Sequence, residues 1–447
     1  MIFISIIIIH TSIPIIIISI LFIIINLWDI RNKKITSIHK NSGSYGTVYY
    51  PAAVLILTII LWSQYKIILA LSVLIMSISD SFAGIIGTRY GKKYFTLVRE
   101  KKSVSGSTAM FISTFLIIFI ALTLLYNMNL FIINLILAFM ISATITLSEL
   151  LSSKGNDNVI VPIVAAIFIY GYLFTEPDLK YQLIFGQLLS LAICLLSYYF
   201  KFLKVSGAVV SFLLGSIIFG FGGIEASIPI LTFFISSSLL SKAGKNKKKS
   251  LEISYEKSGI RDYGQVLANG IIPGVIVLLM TVLKENNMFI AYISAVSIAM
   301  ADTWATELGM FSKNKPILLT NFKRVNHGTS GAVSVAGSAA ASLGSLIIAL
   351  SGFLFFKRLE IDIDYIKYFI IIMFSGLSGC FIDSFIGATV QSQYKCHICL
   401  KITEKMIHCN SKSDLIRGFR FLNNDLVNFL SIFITTIIAY SIIYIII

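Results

Sequence analysis

Long apolar runs alternate with short basic stretches along almost the whole chain. The runs have roughly the 18–25 residues a helix needs to cross the hydrocarbon of a bilayer. They predict about fourteen spans, at 2–27, 48–63, 67–87, 108–127, 128–150, 158–174, 181–200, 206–223, 226–241, 264–282, 287–309, 329–356, 366–390 and 426–446. The run at 2–27 has no positive segment ahead of it and is too long for the apolar core of a secretory signal, so it reads as a retained helix. The expected fold class is all-α, a polytopic transmembrane helical bundle.

The polar positions set an orientation. The stretches 28–47, 88–107, 150–157, 201–205, 242–263, 310–328 and 391–425 hold roughly 30 of the 36 basic residues, an asymmetry that places them in the cytoplasm. The alternate stretches hold Lys66, Lys180, Lys284, Lys357, Arg358 and Lys367, and both termini then lie outside. Only 13% of the 447 residues are charged, against about 25% in soluble domains. The net charge of +15 follows from the positive-inside bias and attraction to anionic headgroups, so it does not call for nucleic acid as a partner. Five cysteines spread over spans and cytoplasmic loops do not form a disulfide framework.

The chain resembles itself. "SDSFAGIIG" at 79–87 matches "ADTWATELG" at 301–309 with a constant offset of 222. That offset pairs Asp80 with Asp302, Ala83 with Ala305 and Gly87 with Gly309. Continued without a gap, it pairs Lys101 with Lys323, Lys102 with Arg324, Gly106 with Gly328 and Ser107 with Thr329. The copies lie an even number of spans apart, which makes the repeat parallel rather than inverted. Two related six-helix units are expected, in domains 1–200 and 201–447.

Ionisable residues inside spans are costly unless they face a cavity or a partner. Asp80 and Asp302 each stand near the end of a span, just before a basic loop. That position suits carboxylates holding Mg²⁺ against a polyphosphate; the alternative is a carboxylate paired with a loop lysine. The loops "KKSVSGST" (101–108) and "KRVNHGTSGAVS" (323–334) supply Lys101, Lys102, Ser103, Gly106 and Ser107, and Lys323, Arg324, Gly328, Thr329 and Ser330. Glycine lets a backbone approach closely, and a helix N-terminus offers free N–H groups to phosphate; an ordinary Ser/Thr helix cap is the competing reading. No G-x-x-x-x-G-K-[ST] motif occurs.

Glu149, Asp157 and Asn158 in the first half, and Asp383, Asn424, Asp425 and Asn428 in the second, bring further polar groups to the same face, with Glu307 as an additional carboxylate. Three carboxylates can ligate a metal and leave one as a base. Asp157 and Asp425 could equally be helix N-caps. "RDYGQVLANG" adds Arg261, Asp262, Gln265 and Asn269 for phosphate or base recognition, or for helix–helix amide bonds. Cys396, Cys399 and Cys409, with His397 and His408, share one loop that could bind zinc or hold unliganded thiols.

The second half resembles the membrane family that includes phytyl-phosphate kinase, through "SGAVVSFLLGSIIFGFGG", "RDYGQVLANG", "ADTWATELG", "GTSGAVS", "IDSFIGATVQ" and "NNDLVNFL". The first half resembles the phytol kinase and dolichol kinase family, through "GTVYYPAA", "DSFAGIIGTRYGKK", "KSVSGS" and "ELLSSKGNDNVIVP", with Ser105 standing where that family usually has Glu. The resemblance implies CTP-dependent phosphorylation of a phytol-like prenyl alcohol by the first half and of the monophosphate by the second. The expected partners are an isoprenoid lipid, a nucleotide and membrane lipids, with room for a homo-oligomer. A CTP-dependent lipid-phosphate cytidylyltransferase would use a similar metal and nucleotide. A transporter would use the intramembrane carboxylates for ions, which parallel motifs on one face disfavour.

Overall fold

A chain in hydrocarbon must pair its backbone groups within each segment, and the apolar runs accordingly form helices. The computed structural model describes residues 2–32, 45–125, 131–243, 260–361 and 363–446. Parts of the basic stretches 28–47 and 242–263 therefore lie outside the described residues. Among the described residues, eleven helices are long and apolar enough to cross a membrane, accompanied by two shorter apolar ones, Gly46–Leu61 and Asp157–Leu173.

The difference from fourteen expected spans comes from two helices that fall short and two runs that join, while the first run is divided but still supplies one span. The run at 2–27 divides into α1 (Ile2–Ile8) and α2 (Ile13–Asn32). Lys66 closes the end of α1, its Nζ donating to Ile9 O at 2.7 Å and Ile7 O at 3.3 Å. Helices α3 (Gly46–Leu61) and α8 (Asp157–Leu173) have only 16 and 17 residues. The expected spans 206–223 and 226–241 run together as α10 (Val205–Ala243), broken at Gly223, whose φ of 59° and ψ of −158° suit glycine alone. A straight helix of that length would extend about 58 Å. Instead Lys242 Nζ lies 5.5 Å from the centre of the Phe202 ring, so the chain doubles back at Gly223.

The chain divides into two compact units, Met1–Ile184 and Phe185–Ile447. The division falls inside α9 (Pro177–Tyr199), ahead of the expected boundary. In the first unit, α4 (Lys66–Ile75) passes through a π-helical turn, Met76–Asp80, into α5 (Ser81–Tyr90). Such turns recur at functional sites. Helices α6 (Val104–Leu125) and α7 (Phe131–Leu150) follow.

The second unit is built around α12 (Met288–Gly309), in which every residue from Met288 to Ala301 is buried. Burial on all sides explains why this stretch carries no charged residue. It packs against α10, α11 (Tyr263–Leu283), α13 (Val335–Phe353), α14 (Tyr365–Thr389) and α15 (Asn424–Ile446).

The chain is predominantly helical, with short strands in the polar connections. Strand β1 (Tyr94–Thr96) pairs antiparallel with β2 (Lys101–Ser103), and β3 (Ile317–Leu318) with β4 (Ala332–Val333). Strands β5 (Gln393–Cys396), β6 (Ile402–Thr403), β7 (Ile407–His408) and β8 (Ser411–Arg417) form an antiparallel sheet in the order β6-β5-β8-β7.

Each of the first two hairpins delivers a serine to the start of a helix. Ser103 Oγ accepts from Gly106 N at 3.1 Å, and Ser334 Oγ accepts from Gly337 N at 3.1 Å. Gly106 lies against Gly87 and Ala83, and Gly337 against Gly309 and Ala305. The gap-free register of the sequence therefore fails beyond the helix. Gly106 corresponds in its contacts to Gly337 rather than Gly328, and Ser103 and Ser334 differ by 231 (334 − 103).

A Cβ on Gly106 would come within 2.9 Å of Ala83 O and Ser103 Oγ. Gly106→Val is expected to destabilise the first unit by about 1–3 kcal/mol, as overpacking does. Thermal unfolding in detergent measures this; an unchanged midpoint would count against the close approach.

Candidate functional site

In the second unit the ends of several helices surround a cavity of about 260 Å³. Asp302 lines it at the point on α12 where the fully buried stretch ends. Asp383 lines it from α14, near enough for the two charges to act on each other. Ser431 Oγ donates to Asp383 Oδ2 at 3.3 Å. In its hydrogen-bonded orientation, the Asn428 amide also donates to Asp383 Oδ2, at 3.2 Å, and to Asn424 O, at 2.9 Å.

Asn424, Asp425 and Asn428 all line the cavity from the start of α15. Its first turn is capped by Asn423, whose Oδ1 accepts from Leu426 N at 3.1 Å. Asp425 thus sits within that turn, where a negative charge suits the helix dipole.

Arg261 and Glu307 also line the cavity. Arg261 is fixed by its own backbone: its N donates to Phe202 O at 3.0 Å, and its O accepts from Lys204 N at 2.9 Å. The guanidinium lies 5.5 and 5.7 Å from the Phe233 and Phe234 rings, within cation–π range. Burial pulls its pKa down to about 10, opposed by the charge of Glu307, so it stays cationic at neutral pH. Glu307 is buried, and its Oε1 accepts from Ser241 Oγ at 2.6 Å.

Gln265 and Asn269 line the cavity from α11, but Asp262 does not. Asp262 is the N-cap of α11, accepting from Gly264 N at 3.2 Å and Gln265 N at 3.3 Å, while Gln265 Oε1 accepts from Asp262 N in return. Asp262 therefore caps this helix, next to Arg261 in the chain.

Lys323 and Arg324 also lie outside the lining residues. Both are exposed. Leu318 N donates to Lys323 O at 3.0 Å, and Arg324 pairs with Ile317, so the hairpin base holds both residues outside. Pro316 lines the cavity ahead of them, and after Arg324 the chain lines it again from His327 through Gly328, Thr329 and Ser330. Gly328 and Gly331 have φ of 85° and 80°, which turn this segment beside α14. Ser330 Oγ donates to Gln391 Oε1 at 2.6 Å, and Gln391 Nε2 donates to Glu404 Oε1 at 2.9 Å. Gln391, Glu404, His327, Ser241 and Ser334 are cavity residues that sequence reasoning passed over. Gln391 ends the string "IDSFIGATVQ", which was its one available signal.

In the first unit the expected acidic residues gather around a lysine. Lys102 Nζ forms an ion pair with Glu149 and donates to Ser152 Oγ at 3.3 Å. Burial alone would lower the lysine pKa, but Glu149 first, then Asp157 and Asp80, outweigh it and raise it above the usual value. Lys102 is thus paired with Glu149, with Asp157 and Asp80 acting on it as further negative charges. Lys101 is exposed on β2. Ser107 Oγ donates to Ser103 O at 3.2 Å, so both serines serve the start of α6. Asp157 Oδ1 accepts from Asn158 N at 3.0 Å and Asn158 Nδ2 at 3.3 Å, and Asn158 Nδ2 also donates to Gly155 O.

Fold and site define a multi-span membrane protein with acidic groups gathered at helix ends. Residues 188–436 match the family model described as "Integral membrane protein DUF92", more than half the chain, and the chain belongs to that family. It is 32% identical to Protein PGR of Arabidopsis thaliana over 284 residues, 59% of this chain and 97% of that protein. It is 23% identical to Protein VTE6, chloroplastic, of Arabidopsis thaliana over 243 residues, 53% of this chain and 64% of that protein. It is 28% identical to Phytol kinase of Synechocystis over 125 residues, 28% of this chain and 53% of that protein. No solved structure matches the chain.

Proposed function

We propose that the second unit transfers a phosphoryl group from a nucleoside triphosphate, CTP by the resemblance, to an isoprenoid monophosphate, and that the first unit does the same for a prenyl alcohol. The observation that carries this reading is the convergence of Asp302, Asp383 and Asp425 with Arg261 in one cavity. The similarity to a phytol kinase supports the substrate class. The two units are read as related six-helix repeats facing the cytoplasm. The matching Ser–Gly helix starts at Ser103–Gly106 and Ser334–Gly337 support the repeat.

The reaction balances as follows. An acceptor oxygen forms a bond to the γ-phosphorus, the bond to the β,γ-bridging oxygen breaks, and CDP leaves; the proton of an alcohol acceptor passes to a base. Most catalysis of such a transfer is positioning and electrostatics. Arg261 would hold phosphate oxygens in a forked hydrogen bond. The N–H groups at the start of α13, opened by Ser334, would bind another phosphate. Two neighbouring carboxylates such as Asp302 and Asp383 repel unless a cation or a proton lies between them. Together with Asp425 they would supply the hard oxygen ligands that suit Mg²⁺, whose charge would offset that of the phosphates. Asp80, Glu149 and Asp157 are the corresponding candidates in the first unit. Leu377 and Phe381 give the cavity an apolar wall suited to a prenyl chain.

The decisive experiment offers the purified full chain Mg²⁺, several nucleoside triphosphates, prenyl alcohols and prenyl monophosphates, with mass analysis of the products. Mono- and diphosphates with CDP are expected. Release of pyrophosphate would make the protein a lipid-phosphate cytidylyltransferase, and no nucleotide consumption with any donor would overturn the reading. Arg261→Ala is expected to raise KM for the phosphorylated substrates roughly 10–100-fold, the loss of about 1.5–3 kcal/mol from a charged hydrogen bond. Steady-state kinetics with each substrate varied in turn would check it.

A further inference from the structure

We propose that Cys396, Cys399, His408 and Cys409 form a structural zinc site that fixes the four-stranded sheet beside the cavity. Their ligand atoms all lie within 4.8 Å of one another. Cys399 Sγ and Cys409 Sγ lie 3.4 and 3.3 Å from His408 Nδ1. A tetrahedral zinc with bonds of about 2.3 Å to sulfur and 2.05 Å to nitrogen requires sulfur–nitrogen separations of about 3.6 Å. The four groups are therefore nearly at ligation distance. Three thiols and an imidazole are also the donor set that selects zinc over magnesium or calcium.

The sheet gives an independent reason for a cross-link. Two of its strands, β6 and β7, have only two residues each. Ile398, Leu400, Ile402, Met406 and Ile407 are all exposed, so little apolar surface is buried by the cysteine loop. Tyr394 and Cys396 of β5 are buried, a small core for four strands, and metal binding would supply further stability.

The backbone bends sharply at the ligands. Leu400, Cys409 and Asn410 have φ of 60°, 51° and 57°, a region non-glycine residues avoid. Ile398 N donates to Cys396 Sγ at 3.4 Å, the kind of outer hydrogen bond that supports a metal thiolate. His397, the other histidine of the loop, pairs with Asp414 at 3.1 Å and lies outside the four.

The site has a structural consequence. Glu404 lies between the two ligand pairs in sequence, lines the cavity, and accepts from Gln391, which accepts from Ser330. Zinc would thus hold Glu404 as a positioning residue for the Gln391–Ser330 chain. Zinc binding is independent of the proposed kinase activity; only this positioning role bears on that site.

The test is the metal content of the full chain purified in detergent without chelators. About one zinc per chain is expected. Cys399→Ala and His408→Ala should bring zinc to background, while Cys194→Ala, a buried cysteine of α9, should retain it. Cys399→His, which keeps a ligand, should also retain zinc and guards against a simple folding failure. Cobalt exchange should give the visible spectrum of a tetrahedral thiolate complex. Background zinc in the parental protein, with the three loop cysteines freely alkylated or joined in a disulfide, would overturn the site. Removing zinc should increase hydrogen exchange across 387–404. Unchanged exchange there would overturn the positioning role and leave the kinase reading untouched.

Discussion

Asp302→Asn is expected to lower phosphorylation of an isoprenoid monophosphate at least about 100-fold, equivalent to about 3 kcal/mol of lost transition-state stabilisation. The substitution keeps the size of the side chain and removes its charge. Asp302 stands where the buried part of α12 meets the cavity, beside Asp383. Two neighbouring carboxylates repel each other, so neutralising one should leave the fold as stable as before or more so. Lost activity with an unchanged or raised melting temperature distinguishes a functional charge from a structural one. Initial rates and thermal melting on the same preparation provide both measurements. A rate near that of the parental protein would remove the chemical basis for assigning this cavity to phosphoryl transfer.

The repeated aspartates were legible because their cost inside a span demands an explanation. Asp302, Asp383 and Asp425 do meet in one cavity, and Asp80, Glu149 and Asp157 do gather around one lysine. Less legible was anything decided by pairing across long sequence distances. Lys102 and Glu149 are far apart in the chain, and no local pattern predicts their ion pair. Glu404 is one carboxylate in a lysine-rich loop, and it reaches the cavity only because the β5–β8 sheet folds there.

The helices were readable from the length of apolar runs, whereas strands of two or three residues have no periodicity to read. This also explains where the loop cations stand. The constant offset carried Lys323 and Arg324 into a phosphate role, but the longer second hairpin shifts the helix start to Ser334 and leaves both outside. Gly223 was readable only as a boundary between two apolar runs; its left-handed φ shows that the boundary is a reversal of the chain.

Breaking the Lys102–Glu149 pair should destabilise the first unit strongly, and the two single substitutions should differ. Their side chains are only 16% and 7% exposed, and removing one partner of a buried pair costs about 3–5 kcal/mol. Glu149→Gln leaves Lys102 with Asp157 and Asp80 still acting on it, so its cost should fall near the lower end. Lys102→Met leaves three carboxylates without their cation, and its cost should fall near the upper end. At roughly 2–4 °C per kcal/mol for a unit of this size, the melting temperature should drop by about 6–20 °C. The double variant Lys102→Met/Glu149→Leu should recover part of that loss, because it removes a charge of each sign. Mg²⁺ should raise the melting temperature of Lys102→Met more than that of the parental protein, since a cation that binds the freed carboxylates stabilises the folded state. If the two single variants melted alike and Mg²⁺ shifted neither, Lys102 would have no part in balancing the acidic cluster.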